Sequence, residues 1–251
     1  MTRLFRAALL SAALLLPASA VHAGSFTPQQ QDEIGKIVHD YLIAHPEVLL
    51  EVSKELENRQ QQADASKRDG ALKSNAQEIF HSADDLVAGN PKGDVTMVEF
   101  FDYNCAWCKK GLPEVLSLID EDKNLRLVMK EFPIFGEDSE YAARAALASN
   151  RQGKYWPFHL AMLGHQGKLT KADVDEIAKA QGLDMAKLKA DMLDPKIVRT
   201  IMDNQKLAQD MAINGTPAFI IDRKVIPGYL PKDELAATIK SVRETGGCTA
   251  C

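Results

Sequence analysis

The residues best suited to chemistry are four cysteines in two identically spaced pairs, Cys105-Ala106-Trp107-Cys108 and Cys248-Thr249-Ala250-Cys251. A thiolate attacks disulfides and binds soft metals, so paired thiols imply exchange, a structural bridge or half of a metal site. A zinc site needs two further ligands for one pair, and only the other pair offers them. Loops this short remove little chain entropy when closed, and a chain of this size builds a core without staples. A chemical role is therefore the better account of the first pair. The second pair follows Gly246-Gly247, where nothing is expected to hold it rigid. It is open to three readings: an electron relay to Cys105, an accessory disulfide, or a soft-metal ligand such as one for Cu(I).

The first pair follows a strand-like run, Val95 to Phe101, and opens a helix expected to run toward Ile119. At a helix N-terminus unpaired N–H groups and the macrodipole favour negative charge, which lowers a thiol's pKa. Cys105 is then the nucleophile, and Cys108, one turn on, resolves the mixed disulfide. Lys109 and Lys110 add positive charge, and Pro113 removes one helix hydrogen bond, predicting a kink.

Other elements must position this helix. Leu125 to Met129 reads as a second strand, and residues 138–212 as a helical stretch punctuated by Pro157, Gly167, Gly182 and Pro195. Two strands, at 218–221 and 224–226, and a last helix carrying Leu235, Ile239 and Val242 complete an α/β order. Upstream, Thr27-Pro28 signals a helix start, and Ile34, Ile37, Val38, Tyr41 and Leu42 form one apolar face. His45-Pro46 ends that helix, and Val48, Leu49, Val52 and Leu56 line a second. Residues 57–73 are polar, an exposed helix extension or a linker. The apolar stripes of two such helices need a partner, and self-association is the favoured one.

At the start, Arg3 and Arg6 precede a short apolar run and a small-residue site at Val21-His22-Ala23. This is the pattern of a signal peptide over 1–23, its apolar run shorter than the ~20 residues of a membrane span. Export places the cysteines where disulfides persist. The net charge of −5 and 6% aromatics exclude the basic, base-stacking surface of a nucleic-acid partner. The expected organisation is a helical segment at 24–62, a linker at 63–76, a main domain at 77–245 and a tail at 246–251.

The ordered motifs resemble the DsbA-like thiol–disulfide oxidoreductases. Val98 to Cys108 is similar to their active-site strand and turn, Glu131-Phe132-Pro133-Ile134 to the segment after their next strand, and Tyr155-Trp156-Pro157-Phe158-His159 to an aromatic motif of their helical insertion. Gly215-Thr216-Pro217-Ala218 resembles their cis-proline loop. The segment from Thr27 to Glu57 resembles the N-terminal extension of ScsC-type relatives, which use it to oligomerise. The resemblance implies a thioredoxin fold with a helical insertion and an exchange site at Cys105 and Cys108. It also implies a cis Pro217 that sets the Thr216 backbone beside Cys105 to pair with extended substrate. Trp107 is expected to be exposed and to touch substrate. Glu99 is either a proton acceptor for Cys108 or a solvent-facing strand residue. His159 reads as packed or capping, Trp156 and Phe158 as core. The Ala-Trp dipeptide departs from members that place a histidine between the cysteines. A Thr before the cis-proline resembles isomerase-type members. No cofactor and no metal are called for. The implied partners are unfolded or misoxidised exported proteins, a DsbB- or DsbD-like membrane redox partner, and copies of the chain itself through residues 27–56. Copper sequestration by the dithiols is the alternative, since ScsC-type relatives are associated with copper tolerance.

Overall fold

The structure is a computed structural model and describes residues 26–251. The expected signal peptide lies outside the described residues. The described residues divide into two compact units, the first ending at Glu57 and the second running from Asn58 to Cys251.

The described part of the first unit is helical. Helix α1 (Pro28–Ala44) starts on a capping box in which Thr27 and Gln30 satisfy each other's backbone N–H groups. His45 is its C-cap, as the following Pro46 requires. Helix α2 (Glu47–Phe80) begins directly after. No residue of α1 is buried. Ile34, Ile37, Val38, Tyr41, Leu49, Leu50, Val52 and Leu56 are all exposed.

Residues 63–76, the expected linker, are helical and lie within α2. The stretch contains no proline, and its one glycine, Gly70, is tolerated in a helix. Ala71, Leu72, Ile79 and Phe80 are buried. Packing in the second unit thus begins before Gln77, the start expected from polarity.

The second unit is built on a five-stranded sheet ordered β1-β3-β2-β4-β5. The strands are β1 (Leu86–Gly89), β2 (Val95–Phe101), β3 (Leu125–Glu131), β4 (Ala218–Ile221) and β5 (Lys224–Pro227). Strands β2 and β3 are parallel, and the other pairs are antiparallel. Parallel pairing demands a crossover, supplied by α3 (Ala106–Glu121). The helical insertion comprises α4 (Glu137–Ser149), a 3-10 turn, α5 (Tyr155–Leu163), α6 (Lys171–Ala180), α7 (Met185–Asp191) and α8 (Pro195–Asp210), before α9 (Lys232–Glu244) closes the unit. Helix α3 runs continuously through Pro113.

Every residue of β2 is buried, as expected of a central strand covered on both faces. Its alternation divides the core. Val95, Met97 and Phe101 face one cluster with Cys105, Cys108 and the insertion helices. Val98 and Phe100 face a second cluster with Leu72, Phe80, Leu207 and Met211. Period-two alternation puts Glu99 on the cysteine face.

Candidate active site at Cys105 and Cys108

The site is held first by the loop leaving β2. The buried Asp102 carboxylate accepts from the backbone N–H groups of Asn104 (2.7 Å), Ile134 (2.7 Å) and Phe135 (3.1 Å), and from Ser139 Oγ (2.8 Å). Asn104 pins the loop to the insertion, donating to Leu169 O at 3.1 Å and accepting from Leu169 N at 2.7 Å. Sequence reasoning did not single out Asp102 or Asn104. The available signal was two Asx residues in the turn before the first cysteine, where their side chains satisfy backbone groups.

Cys105 is the N-cap of α3, and its Sγ accepts from Cys108 N at 3.4 Å. The Thr216–Pro217 peptide is cis, and the Cys105 thiol donates to Thr216 O at 3.1 Å. The Cys105 pKa is lowered to about 6, chiefly by its hydrogen bond with the Cys108 side chain. The Thr216 side chain and the backbone of Cys108 and Trp107 add to this, and burial opposes it. Burial drives the Cys108 thiol strongly the other way. Both cysteines are free and buried, Cys105 at 3% exposure and Cys108 at 1%. The pair is therefore split into one acidic sulfur and one that stays protonated.

Glu99 is 4% exposed, so the solvent-facing alternative does not hold: the strand has no solvent face. Burial first, and then the Cys105 charge, raise its carboxyl to about 8. Trp107 is 52% exposed. Its ring lies 5.4 Å from that of Tyr229, with Lys110 Nζ 4.6 Å from the indole and 4.9 Å from the phenol. Tyr229 was not picked out from the sequence, being 121 positions after Cys108.

Behind the loop lies a buried polar cluster. Tyr103 Oη donates to Glu131 Oε1 at 3.0 Å and lies 2.9 Å from His159 Nδ1, and Tyr155 Oη donates to Glu131 at 3.2 Å. Burial raises Glu131 well above the usual carboxyl range and lowers His159 to about 3, so both are neutral. His159 stacks on Trp156 and is a packed residue; Phe158 is fully buried and Trp156 is partly buried.

Of the three readings of the tail, the structure shows the disulfide, but the tail is held in place where nothing was expected to hold it. Cys248 and Cys251 are joined in a disulfide, and Asp222 at the β4–β5 turn holds the loop between them. The structure does not bring the tail to Cys105. Cys251 Sγ accepts from Thr96 N at 3.4 Å, near the start of β2, whereas Cys105 follows its end. Sulfurs bonded to each other are not the free dithiol that the metal reading of the tail requires.

The model of the DSBA-like thioredoxin domain family matches residues 96–240. The chain belongs to this family. It has the α/β thioredoxin fold with a helical insertion, preceded by helices. Residues 30–63 match the "Copper resistance protein ScsC N-terminal domain". A thioredoxin-like oxidoreductase from Silicibacter pomeroyi DSS-3 is 43% identical, over 67% of this chain and 97% of that one, with a TM-score of 0.66. BcfH from Salmonella enterica Typhimurium is 32% identical, over 84% of this chain and 95% of that one, with a TM-score of 0.65. Among curated relatives, the Na(+)/H(+) antiporter NhaA 1 of Salinispora arenicola is 30% identical over 159 residues. That match covers 62% of this chain and 24% of the antiporter. The chain spans about a quarter of the length of the curated relatives it matches. Among the described residues no helix is long and apolar enough to cross a membrane.

Proposed function

We propose that this DsbA-like protein rearranges disulfides in exported client proteins in the periplasm, through Cys105 and Cys108. The observation that carries the reading is the acidic Cys105 sulfur at the start of α3, against the Thr216 carbonyl. The Cys105 thiolate attacks a client disulfide, forming a mixed disulfide and releasing the client's second sulfur as a thiolate that takes up a proton. That client thiol can then attack elsewhere, so bonds are shuffled without net oxidation. If instead Cys108 loses its proton and attacks Cys105, the client leaves reduced and the enzyme oxidised. Glu99, on the face shared with both cysteines, is the acceptor proposed for the Cys108 proton. Thr216 and Pro217 present backbone to the client, so pairing is largely independent of its sequence, and Trp107 contacts the client beside the sulfur.

Isomerisation is favoured over oxidation because the first unit exposes apolar faces suited to joining copies through residues 27–56. Several sites facing one space suit repeated exchange on one client. The export signal at 1–23 supports the location, and a membrane protein of the DsbB or DsbD kind is the proposed redox partner.

The test compares refolding of a scrambled-disulfide substrate with oxidation of the same substrate fully reduced, for the mature chain and for residues 58–251. The expected result is strong scrambled-substrate activity in the mature chain and its loss in the shorter one. Faster oxidation than reshuffling by the mature chain would overturn the isomerase reading.

A further inference from the structure

The tail is built as a site of its own. The Asp222 carboxylate, at φ 52°, accepts from Thr249 N (2.7 Å), Ala250 N (2.8 Å) and Thr249 Oγ1 (3.0 Å) with the same oxygen. The closed Cys248–Cys251 loop makes these donors converge, as an open chain of the same residues would not. Both cysteines remain partly exposed. The disulfide closes a separation of only 3 residues and ties the tail to nothing else. Docking is instead the work of Asp222 and of Ala250 and Cys251 packing at the edge of the second cluster. A bridge that staples so little leaves its chemistry as its distinguishing property.

We propose that Cys248–Cys251 is a second thiol–disulfide exchange site, remote from Cys105 and Cys108, that takes a protein dithiol as its reductant and leaves through Cys251. The two sulfurs are inequivalent. Cys251 Sγ receives the Thr96 N–H at 3.4 Å, which stabilises a departing thiolate; the neutral Thr96 carbonyl oxygen, 3.7 Å away, opposes it less than a carboxylate would. Cys248 Sγ lies 3.7 Å from the Asp222 carboxylate, which disfavours negative charge there. A better-stabilised leaving thiolate leaves faster. The reductant's thiolate therefore bonds to Cys248 Sγ, the Cys248–Cys251 bond breaks, and Cys251 departs as a thiolate and is protonated. The reductant's second thiol, giving up its proton, attacks its own sulfur in the mixed disulfide and frees Cys248, which takes up a proton. Two electrons and two protons have moved, leaving the reductant as a disulfide and the tail as a dithiol. Opening the loop undoes the convergence on Asp222, so exchange and docking are linked and each changes the other by the same factor.

The test uses full-length mature protein in graded dithiothreitol and glutathione redox buffers, with tail thiols counted by maleimide tagging and mass spectrometry. The tail is expected to open in the wild type and equally in a Cys105→Ser/Cys108→Ser variant, which keeps the second site alone. Asp222→Gly, compatible with the left-handed backbone, should ease reduction by about tenfold, the scale of one charge-assisted hydrogen bond. A second measurement does not depend on that variant folding: brief glutathione treatment of the wild type, trapped by acid and read by mass spectrometry, should place the mixed disulfide on Cys248 and the free thiol on Cys251. A tail still closed in buffers that fully reduce Cys105–Cys108 would overturn the proposal, as would an unshifted midpoint in folded Asp222→Gly or a mixed disulfide found on Cys251.

Discussion

At Cys105 two opposing effects are decided by hydrogen bonding. Burial alone would keep a thiol protonated, as it does at Cys108. At Cys105 the Cys108 side chain and the backbone N–H groups opening α3 outweigh it and bring the pKa to about 6. Acidity alone does not make a fast nucleophile, because intrinsic reactivity falls as the pKa falls. Relative to a free thiol of pKa about 8.5, the thiolate fraction is over a hundredfold larger at pH 6, and a Brønsted slope of about 0.4–0.5 takes back roughly a factor of ten. The net advantage in alkylation is about tenfold at pH 6 and only about twofold at pH 7. The reduced protein should thus react with iodoacetamide along a curve half-maximal near pH 6, lost in Cys105→Ser. At 3% exposure, an attacking sulfur must open the contact with Thr216 to arrive. A reduced protein that resists alkylation at pH 7 would refute the exchange site.

The elements around this residue explain why Glu99 is tolerated inside β2. A central strand with both faces covered disfavours a charge, so the pKa of the carboxyl rises to about 8; at neutral pH it is mostly the acid, and only its minor carboxylate fraction is in the form able to accept a proton. A raised carboxyl contributes stability that is full below its unfolded value and is lost as pH climbs through the folded one. Glu99→Gln escapes that loss. The experiment belongs in the oxidised protein, where the Cys105 charge is gone and burial, the larger cause, remains. One pKa unit is about 1.4 kcal/mol, and 1 kcal/mol moves Tm by roughly 2–4 °C in a domain of this size. Wild type should therefore lose more than about 5 °C relative to Glu99→Gln between pH 5 and pH 8.5. A gap that stays constant with pH would mean that the group does not titrate as described. What was legible in the sequence follows the same physics. Strand β2, α3 and the cysteine pair were visible because apolar runs and a helix start are local patterns. Strand β1 was not, because Leu-Val-Ala-Gly is too short to show alternation. The pairing of Cys105 with Thr216, 111 residues away, came only through the family resemblance. The cluster of Tyr103, Glu131, Tyr155 and His159 joins three elements by side chains that no periodicity marks.

At the scale of the whole molecule the question is what covers the helices of the first unit. The sequence placed apolar residues there at helical spacing, and the structure leaves Ile37 68%, Ile43 71% and Leu50 74% exposed. With no buried residue in α1, this surface is one whose burial the hydrophobic effect favours. Another copy of the same segment presents a matching surface by construction, and closed symmetric assemblies are the common outcome. A stable contact buries roughly 1,200–2,000 Å², which helices of this length can supply. Light scattering at micromolar concentration should then give the mature chain a mass that is a whole multiple, above one, of the monomer's. Residues 58–251 should run as a monomer. An Ile37→Glu/Leu50→Glu variant should also dissociate while keeping the alkylation profile of Cys105, because the second unit carries its own core. A mature chain that stays monomeric up to high concentration would leave these faces for a different partner and remove the basis for preferring shuffling to oxidation.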